Sequence, residues 1–135
     1  MDQTLVVLKP DAVQRGLIGE IVGRFEKRGF RIRKMRMLTF GHEIAADFYS
    51  PHAGKPFFSD LERFITSGPV VGIVLEGNNA VEVVRNMIGK TKSDEAISGT
   101  IRGDYALGYT DNIIHASDSV DSYIRESKIV FPENR

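Results

Sequence analysis

The amino-acid sequence predicts an α+β fold: a ferredoxin-like βαββαβ sandwich, in which a four-stranded antiparallel sheet carries helices on one face. Short β-rich apolar runs alternate with longer stretches in which apolar residues recur every three or four positions. These elements follow the order strand, helix, strand twice, and two short helices separate the two halves. The sequence contains no repeat and no linker, so we expect a single domain over residues 1–135.

The first half begins with a short apolar strand, Thr4 to Leu8. It ends at Pro10, because proline cannot donate to the ladder of a central strand. A helix follows and closes at Gly29, a residue typical of helix C-termini. One face of this helix is apolar at helical spacing, at Ile18, Ile21, Val22 and Phe25.

The second strand, Phe30 to Leu38, alternates in character, but its phase slips between Ile32 and Met35. A slip of this kind predicts a bulge or a strong twist. Two short helices follow, the first from about His42 to Ser50. The second carries one apolar face, formed by Phe57, Leu61, Phe64 and Ile65.

The second half opens with Val70 to Leu75, which has the apolar composition of a buried strand. Asn78 or Asn79 is then expected to cap a helix that closes at Gly89. The apolar face of this helix comprises Ala80, Val84, Met87 and Ile88.

Periodicity is lost between Lys90 and Tyr109, and a loop of this length in a compact domain is usually functional or disordered. The segment Asn112 to His115 follows it. We predict a helix that starts near Ser117 or Asp118, and a last short strand at Lys128 to Phe131.

The composition narrows the classes of function. Lys and Arg together number 18, as do Asp and Glu, so no overall charge draws the chain to nucleic acid or an anionic membrane. There is no cysteine, which excludes disulfides and thiolate chemistry. The N-terminus, Met1-Asp2-Gln3, lacks the pattern of a signal peptide, and no apolar stretch is long enough to span a membrane. A cytoplasmic protein is therefore expected.

Three short sequence patterns are similar to functional motifs, but none of them supports the corresponding function. Gly89-Lys90-Thr91 matches the end of a P-loop, but Val84 stands where that motif needs glycine, and the tripeptide follows a helix. His115, Ser117 and Asp118 are the residue types of a hydrolytic triad, yet close neighbours along a chain rarely reach triad geometry. The three histidines, at positions 42, 52 and 115, show no metal-ligand spacing, so no protein metal site is expected.

His115 is the main candidate for chemistry. A histidine in such a setting is more often structural than catalytic. However, a neutral imidazole nitrogen is a good phosphoryl acceptor, and a helix N-terminus just after it would stabilise phosphate oxygens. Lys9, Arg85, Thr91 and Arg102 are possible phosphate ligands, although each alone is more often a surface residue.

Four longer motifs are spread along the chain. They are Leu8-Lys9-Pro10-Asp11-Ala12-Val13-Gln14-Arg15-Gly16, Ser67-Gly68-Pro69-Val70, Gly99-Thr100-Ile101-Arg102-Gly103-Asp104 and Asn112-Ile113-Ile114-His115-Ala116-Ser117-Asp118-Ser119. These segments resemble signatures of the nucleoside diphosphate kinases. They occur in the expected order, and the similarity runs from Thr4 to Phe131.

This resemblance implies a catalytic role for five residues. His115 would take the γ-phosphoryl group of a nucleoside triphosphate on Nδ1 and pass it to a nucleoside diphosphate, in ping-pong fashion. Glu126 would accept a hydrogen bond from the other ring nitrogen, and Ser117 would bond near this pair. Lys9 would lie at the transferred group, supported by the Tyr49 hydroxyl.

The resemblance also implies the nucleotide contacts. Phe57 would stack on the base, and Asn112 with Lys9 would contact the ribose hydroxyls. Mg²⁺ would bridge phosphate oxygens with few protein ligands. The diphosphate end would be held by Arg85, Thr91 and Arg102.

Three departures from the family pattern bear on assembly and on the base. Ser93 and Ser98 stand where many members have proline, in a loop that helps subunits pack. The chain stops four residues after Phe131, whereas many relatives continue. A homo-oligomer is expected, a hexamer or tetramer built on a dimer. Tyr109 replaces a common aliphatic residue, and either sandwiches the base against Phe57 or packs outside the site.

Two other functions compete with this reading. A nucleotide-binding regulator on the same fold would have no need to keep Lys9, Arg102 and His115 together, yet all three are present. Nucleic-acid binding through the basic stretch Arg31 to Arg36 is weakly supported, because basic residues on a strand usually form its solvated face. We therefore expect nucleoside di- and triphosphates as partners, and neither nucleic acid nor a membrane.

Overall fold

Four strands and the helices around them make up the computed structural model, which describes residues 2–134. Residues 1 and 135, the ends of the predicted domain, lie outside the described residues. The strands are β1 (Asp2–Leu8), β2 (Arg31–Leu38), β3 (Val70–Gly77) and β4 (Ile114–Ala116). The α-helices are α1 (Pro10–Gln14), α2 (Ile18–Arg28), α3 (His42–Phe48), α4 (Phe58–Ile65), α5 (Ala80–Ile88), α6 (Ile101–Tyr105) and α7 (Val120–Val130). Short 3₁₀ turns lie at Ser50–His52, Ser93–Glu95 and Pro132–Asn134.

The sheet has the order β2-β3-β1-β4, and each neighbouring pair is antiparallel. This arrangement confirms the ferredoxin-like α+β fold. The pairing of β2 with β3 shifts between Ile32 and Lys34, where the slip in the sequence predicted a bulge. β4 pairs only with the end of β1, where His115 lies opposite Val7. The edge of the sheet therefore presents His115 beside the end of a central strand.

The side chains of β1 alternate between two cores. Val6 and Leu8 are fully buried on the face that α2 and α5 cover. Leu5 and Val7 are fully buried on the opposite face, which α3, α4 and α7 cover. The crossover helices α2 and α5 thus lie on one face as predicted, and α3, α4 and α7 cover the second face, which the sequence prediction left open. Burial on both sides explains why Leu5 to Leu8 form an unbroken apolar run within β1.

Thr4 is the exception in β1, since its hydroxyl is buried and has no hydrogen-bond partner among the described residues. Such a group forfeits its bonds to water without compensation. We expect Thr4→Val, which keeps the shape, to raise the free energy of unfolding by about 1 kcal/mol. Thr4→Ala, which leaves a small void, is the matched control. A loss of stability in Thr4→Val on denaturant unfolding would contradict the assignment.

The predicted last strand at Lys128 to Phe131 is wrong. These residues continue α7 to Val130, and β4 at Ile114–Ala116 is the fourth strand. The β-branched pair Ile129 and Val130 suggested a strand, but both residues lie in the last turn of α7 and pack in the core beneath the sheet. The end of α7 can lie close to β3 because Gly72 in that strand has no side chain, and a Cβ there would collide with Val130.

The predicted helix starts also need adjustment. α7 begins after Ser119, whose hydroxyl accepts a hydrogen bond from the backbone N–H of Ser122, and not at Ser117 or Asp118. Asn79 does precede α5 as predicted, in a left-handed conformation with φ of 51°. Its side chain donates to Glu82 and does not cap the backbone.

The segment from Lys90 to Tyr109 was predicted to be a loop, but it contains α6. Five residues are too few to show a periodic pattern. The local signal is Thr100, whose hydroxyl accepts a hydrogen bond from the backbone N–H of Gly103 and so caps the helix. α6 carries Arg102 and fixes its place relative to β4.

The backbone at Ser93, in the same segment, is compatible with a proline residue. Its backbone N–H makes no hydrogen bond within residues 2–134, its hydroxyl is buried without a partner, and the preceding Lys92 is extended. Because Ser93 opens a 3₁₀ turn, the fixed φ of proline fits. We expect Ser93→Pro to raise the free energy of unfolding by about 1 kcal/mol. Ser93→Ala removes the hydroxyl alone, so a proline variant less stable than the alanine variant in denaturant would refute the backbone argument.

Candidate active site

A cleft of about 410 Å³ opens beside β4, and it gathers residues that are more than 100 positions apart in the chain. All the predicted site residues line it except Ser117, which is buried behind it. Those that line it are Lys9, Tyr49, Phe57, Arg85, Thr91, Arg102, Asn112, His115 and Glu126.

His115 lies in the wall of this cleft with its ring held in place. Its Nε2 is 2.8 Å from Oε1 of Glu126. The ring packs edge to face on Phe48, with 4.8 Å between centroids, and on Tyr49 at 6.5 Å. Nδ1 makes no hydrogen bond to any described residue. One ring nitrogen is therefore anchored and the other is available to a ligand.

Glu126 is a buried carboxylate on α7 that other groups hold in place. Ser117 donates to the same Oε1 at 2.8 Å, and Arg125 approaches Oε2 at 3.5 Å. Burial acts to raise the pKa of Glu126, but the attractions of His115, Ser117 and Arg125 outweigh it, and the pKa is lowered. An ionised carboxylate only accepts hydrogen bonds. We therefore assign a proton to Nε2 of His115, so that in the neutral ring the lone pair lies on Nδ1.

Lys9 follows β1 and is 4 % exposed. Its Nζ donates to Oδ1 of Asn112 at 2.7 Å and to the carbonyl of Thr110 at 3.3 Å. Burial, and then the positive charge of Arg102, lower the pKa of Lys9 to about 7. The site thus contains an amine that an anionic ligand would hold in its charged form.

Arg102 is a second buried cation. It donates to the carbonyls of Asn112, Gly89 and Ile114, at 3.3, 2.9 and 2.6 Å. Burial, followed by the charge of Arg85, lowers the pKa of Arg102 to about 10. None of Lys9, Arg85 and Arg102 forms a salt bridge with a carboxylate in residues 2–134. The cleft therefore holds three cationic side chains that are available to pair with an added anion.

A strained turn at Ile113 directly precedes β4, the strand that carries His115. Ile113 has φ of +76°, which is unfavourable for a β-branched residue. The N–H of Ile114 bonds to the carbonyl of Asn112 at 2.8 Å, which makes a γ-turn. Asp11 accepts from the N–H of Ile113 at 3.1 Å, and the N–H of Lys9 donates to the carbonyl of Ile113 at 2.8 Å. These bonds, with those of Arg102, hold the turn against its strain.

Four rings form a continuous aromatic wall along the cleft: Tyr49, His52, Phe57 and Tyr109. Successive centroids are 6.3, 5.7 and 6.3 Å apart. Burial raises the pKa of the Tyr49 hydroxyl. That hydroxyl makes no hydrogen bond to Lys9, in contrast to the support expected from the resemblance, and Tyr49 contributes a ring contact to His115.

Several cleft residues were not in the predicted site. His52 and Lys55 lie close to Phe57 in sequence, and Asp118 follows His115 within a quoted signature segment, so each could have been found by proximity. Arg125 directly precedes Glu126 and could have been found in the same way. It donates to the carbonyls of Asp47 and Phe48 and ties α3 to α7 beneath the aromatic wall.

The charged groups of the cleft do not form a metal cage. In the part of the chain that the structure describes, no group of three or more His, Asp or Glu side chains is arranged to hold a metal ion. Among residues 2–134, the only carboxylates that line the cleft are Glu126, which is bound to His115, and Asp118. Separately, no helix within residues 2–134 has the length and apolar character needed to cross a membrane.

Comparison with known proteins agrees with this geometry. The chain is 53% identical to the nucleoside diphosphate kinase of Hyperthermus butylicus, over 99% of this chain and 94% of that one. It is 52% identical to that of Staphylothermus marinus, over 98% and 94%. A halophilic nucleoside diphosphate kinase from Halobacterium salinarum, solved in complex with CDP, superposes with a TM-score of 0.94 at 44% identity, covering 96% of this chain and 87% of that one. The model of the nucleoside diphosphate kinase family matches residues 2–135, and the chain belongs to this family of phosphotransferases.

Proposed function

We propose that this chain carries the γ-phosphoryl group of a nucleoside triphosphate on Nδ1 of His115 and delivers it to a nucleoside diphosphate, in ping-pong fashion. One observation carries the proposal: Nε2 of His115 is bound to Glu126 at 2.8 Å, while Nδ1 has no hydrogen-bond partner within residues 2–134 and lies in a cleft that Lys9, Arg85 and Arg102 also line. A fixed imidazole beside several cations is suited, in its neutral form, to attack a phosphoryl group.

In the first half-reaction the lone pair of Nδ1 forms a bond to the γ-phosphorus. The bond from that phosphorus to the bridging oxygen breaks, and its electron pair stays on the departing diphosphate. The ring gains positive character, which the Glu126 carboxylate stabilises through Nε2–H. In the second half-reaction a terminal oxygen of the acceptor diphosphate attacks the phosphorus, and the electron pair of the N–P bond returns to Nδ1.

The remaining side chains position the nucleotide. Lys9 and Arg102 would neutralise charge on the transferred group and the diphosphate, with Arg85 and Thr91 toward the diphosphate end. Asn112, which is bonded to Lys9, would reach the ribose hydroxyls, and Phe57 would stack on the base. The CDP bound to the Halobacterium relative supports a nucleoside diphosphate as ligand.

The cleft fits Mg²⁺ held mainly by phosphate oxygens and water, because Asp118 is the one carboxylate of the cleft that is not bound to His115. When bound, Mg²⁺ would offset the negative charge of the phosphates. Asp118 accepts from Ser122 at 2.6 Å, an interaction that lowers its pKa and keeps it ionised.

We further propose that the chain works as a single domain in the cytoplasm and as a homo-oligomer, a hexamer or tetramer built on a dimer. Exposed methionines on the edge strand β2, Met35 and Met37, support contact between copies. Light scattering at several protein concentrations tests the assembly.

Labelling tests the proposed chemistry. The protein is incubated with γ-labelled ATP and Mg²⁺, and the product is treated with acid and with base. We expect an acid-labile, base-stable phosphoprotein that loses its label when a nucleoside diphosphate is added, with equal label appearing in the triphosphate. Turnover without a labelled protein would contradict a covalent intermediate.

A further inference from the structure

Phe57 and Tyr109 close one end of the cleft in the free protein. Their rings meet edge to face, with 6.3 Å between centroids and 80° between planes. A flat ring held between two parallel rings makes a contact of roughly 3.5–4.0 Å on each side. The planes of the two outer rings must then be about 7–8 Å apart. The space between Phe57 and Tyr109 is therefore too narrow for a base in the free protein, and a base can enter it only if one ring turns.

Tyr109 is the ring that is able to turn. It is 45% exposed, and its hydroxyl makes no hydrogen bond within residues 2–134. Phe57, in contrast, is half-buried and packs on His52 at 5.7 Å, within the aromatic wall. The outer ring is free to rotate while the inner one is fixed.

The backbone directly after Tyr109 is tied to the cleft, because the carbonyl of Thr110 accepts from Nζ of Lys9 at 3.3 Å. The preceding residue is Gly108, which has no side chain to crowd the Tyr109 ring. The Tyr109 side chain can therefore turn while Thr110 keeps its contact with Lys9.

We propose that Tyr109 is a specificity-determining residue: it swings from its edge-to-face contact with Phe57 to lie flat on the base, and so favours purine over pyrimidine nucleotides. This inference rests on the proposed function, in which Phe57 stacks on the base. The fused rings of a purine offer a second aromatic face of larger area than a pyrimidine does, so the two-sided contact stabilises purines more. Stacking of a base on one aromatic ring changes affinity by roughly 5- to 150-fold.

The test compares ADP and CDP as acceptors with a single fixed donor, by kcat/KM for the acceptor. In Tyr109→Val we expect kcat/KM for ADP to fall about fivefold or more. The value for CDP should fall less, so the ratio of ADP to CDP drops. Tyr109→Phe keeps the ring and should keep the wild-type ratio. Leu107→Ala controls for loosening of the loop and should also keep the ratio, because Leu107 lies two residues away, is 85% exposed and does not line the cleft.

Two results would overturn the inference. An equal loss for both acceptors in Tyr109→Val would show that Tyr109 does not discriminate between bases. A gain for both would show that it only obstructs the cleft. Failure of the proposed function is distinguishable, because the wild-type protein would then transfer phosphoryl groups to neither acceptor.

Discussion

Replacement of His115 by alanine should abolish both phosphoprotein formation and phosphoryl transfer. Among the described residues that line the cleft, no other side chain offers an unpaired ring nitrogen beside Lys9 and Arg102 with its second nitrogen bound to a carboxylate. Loss of the nucleophile of a covalent enzyme lowers kcat by on the order of 10⁴-fold or more. Turnover is measured by a coupled assay, and labelling by γ-labelled ATP.

His115→Ala also removes a partner of the buried Glu126 carboxylate, so some loss of stability is expected. His115→Gln retains a hydrogen-bond donor for Glu126 and should be more stable, yet equally inactive. His42→Ala is the matched control, because His42 is exposed on α3, outside the cleft, and should leave activity unchanged. Turnover close to wild type in His115→Gln would exclude His115 as the phosphoryl carrier.

Affinity for a nucleoside diphosphate should weaken as the pH rises above 7. Burial and the charge of Arg102 lower the pKa of Lys9 to about 7 in the free protein. Bound phosphates would raise that pKa again, so binding takes up a proton. The Kd for ADP should then rise by up to about tenfold per pH unit between pH 7.5 and 9. The phosphate groups are fully ionised in this range, since their second pKa is roughly 6.

The stability of the free protein should change with pH in the opposite direction. The pKa of Lys9 is depressed from 10.5, so the unfolded chain binds more protons between pH 7 and 10.5. The free energy of unfolding therefore gains a contribution as the pH rises through this window. Lys9→Met should lack both trends: weaker binding at pH 7, no further weakening above it, and a flatter stability profile. Identical profiles for wild type and Lys9→Met in calorimetry would contradict the role of Lys9.

The regular elements could be predicted because long segments carry a clear period. β1, β2, β3, α2 and α5 are confirmed, including the slip in β2. The errors lie where local pattern and packing conflict. Residues 128–131 have the composition of a strand, but the close approach over Gly72 allows them to pack as a helix. α6 is too short to show any period.

The residues of the site depended on resemblance more than on pattern. Lys9 and Asn112 are 103 positions apart, and nothing in their spacing indicates the 2.7 Å hydrogen bond between them. The three hydrogen bonds from Arg102 to main-chain carbonyls could not be predicted either, because every residue carries such a carbonyl and the sequence does not indicate which of them accept. The γ-turn at Ile113 was also missed, since a β-branched residue does not indicate a positive φ.

The position of the phosphoryl group on the ring tests the account most directly. The phosphoprotein formed with ATP and Mg²⁺ is unfolded in base, where phosphohistidine survives, and its ³¹P NMR spectrum is compared with those of the two phosphohistidine isomers. Because Nε2 of His115 is bound to Glu126 at 2.8 Å, we predict a single signal, from the Nδ1 isomer. The signal should disappear on addition of ADP before unfolding. A signal from the Nε2 isomer, or from a residue other than His115 in digested peptides, would contradict it.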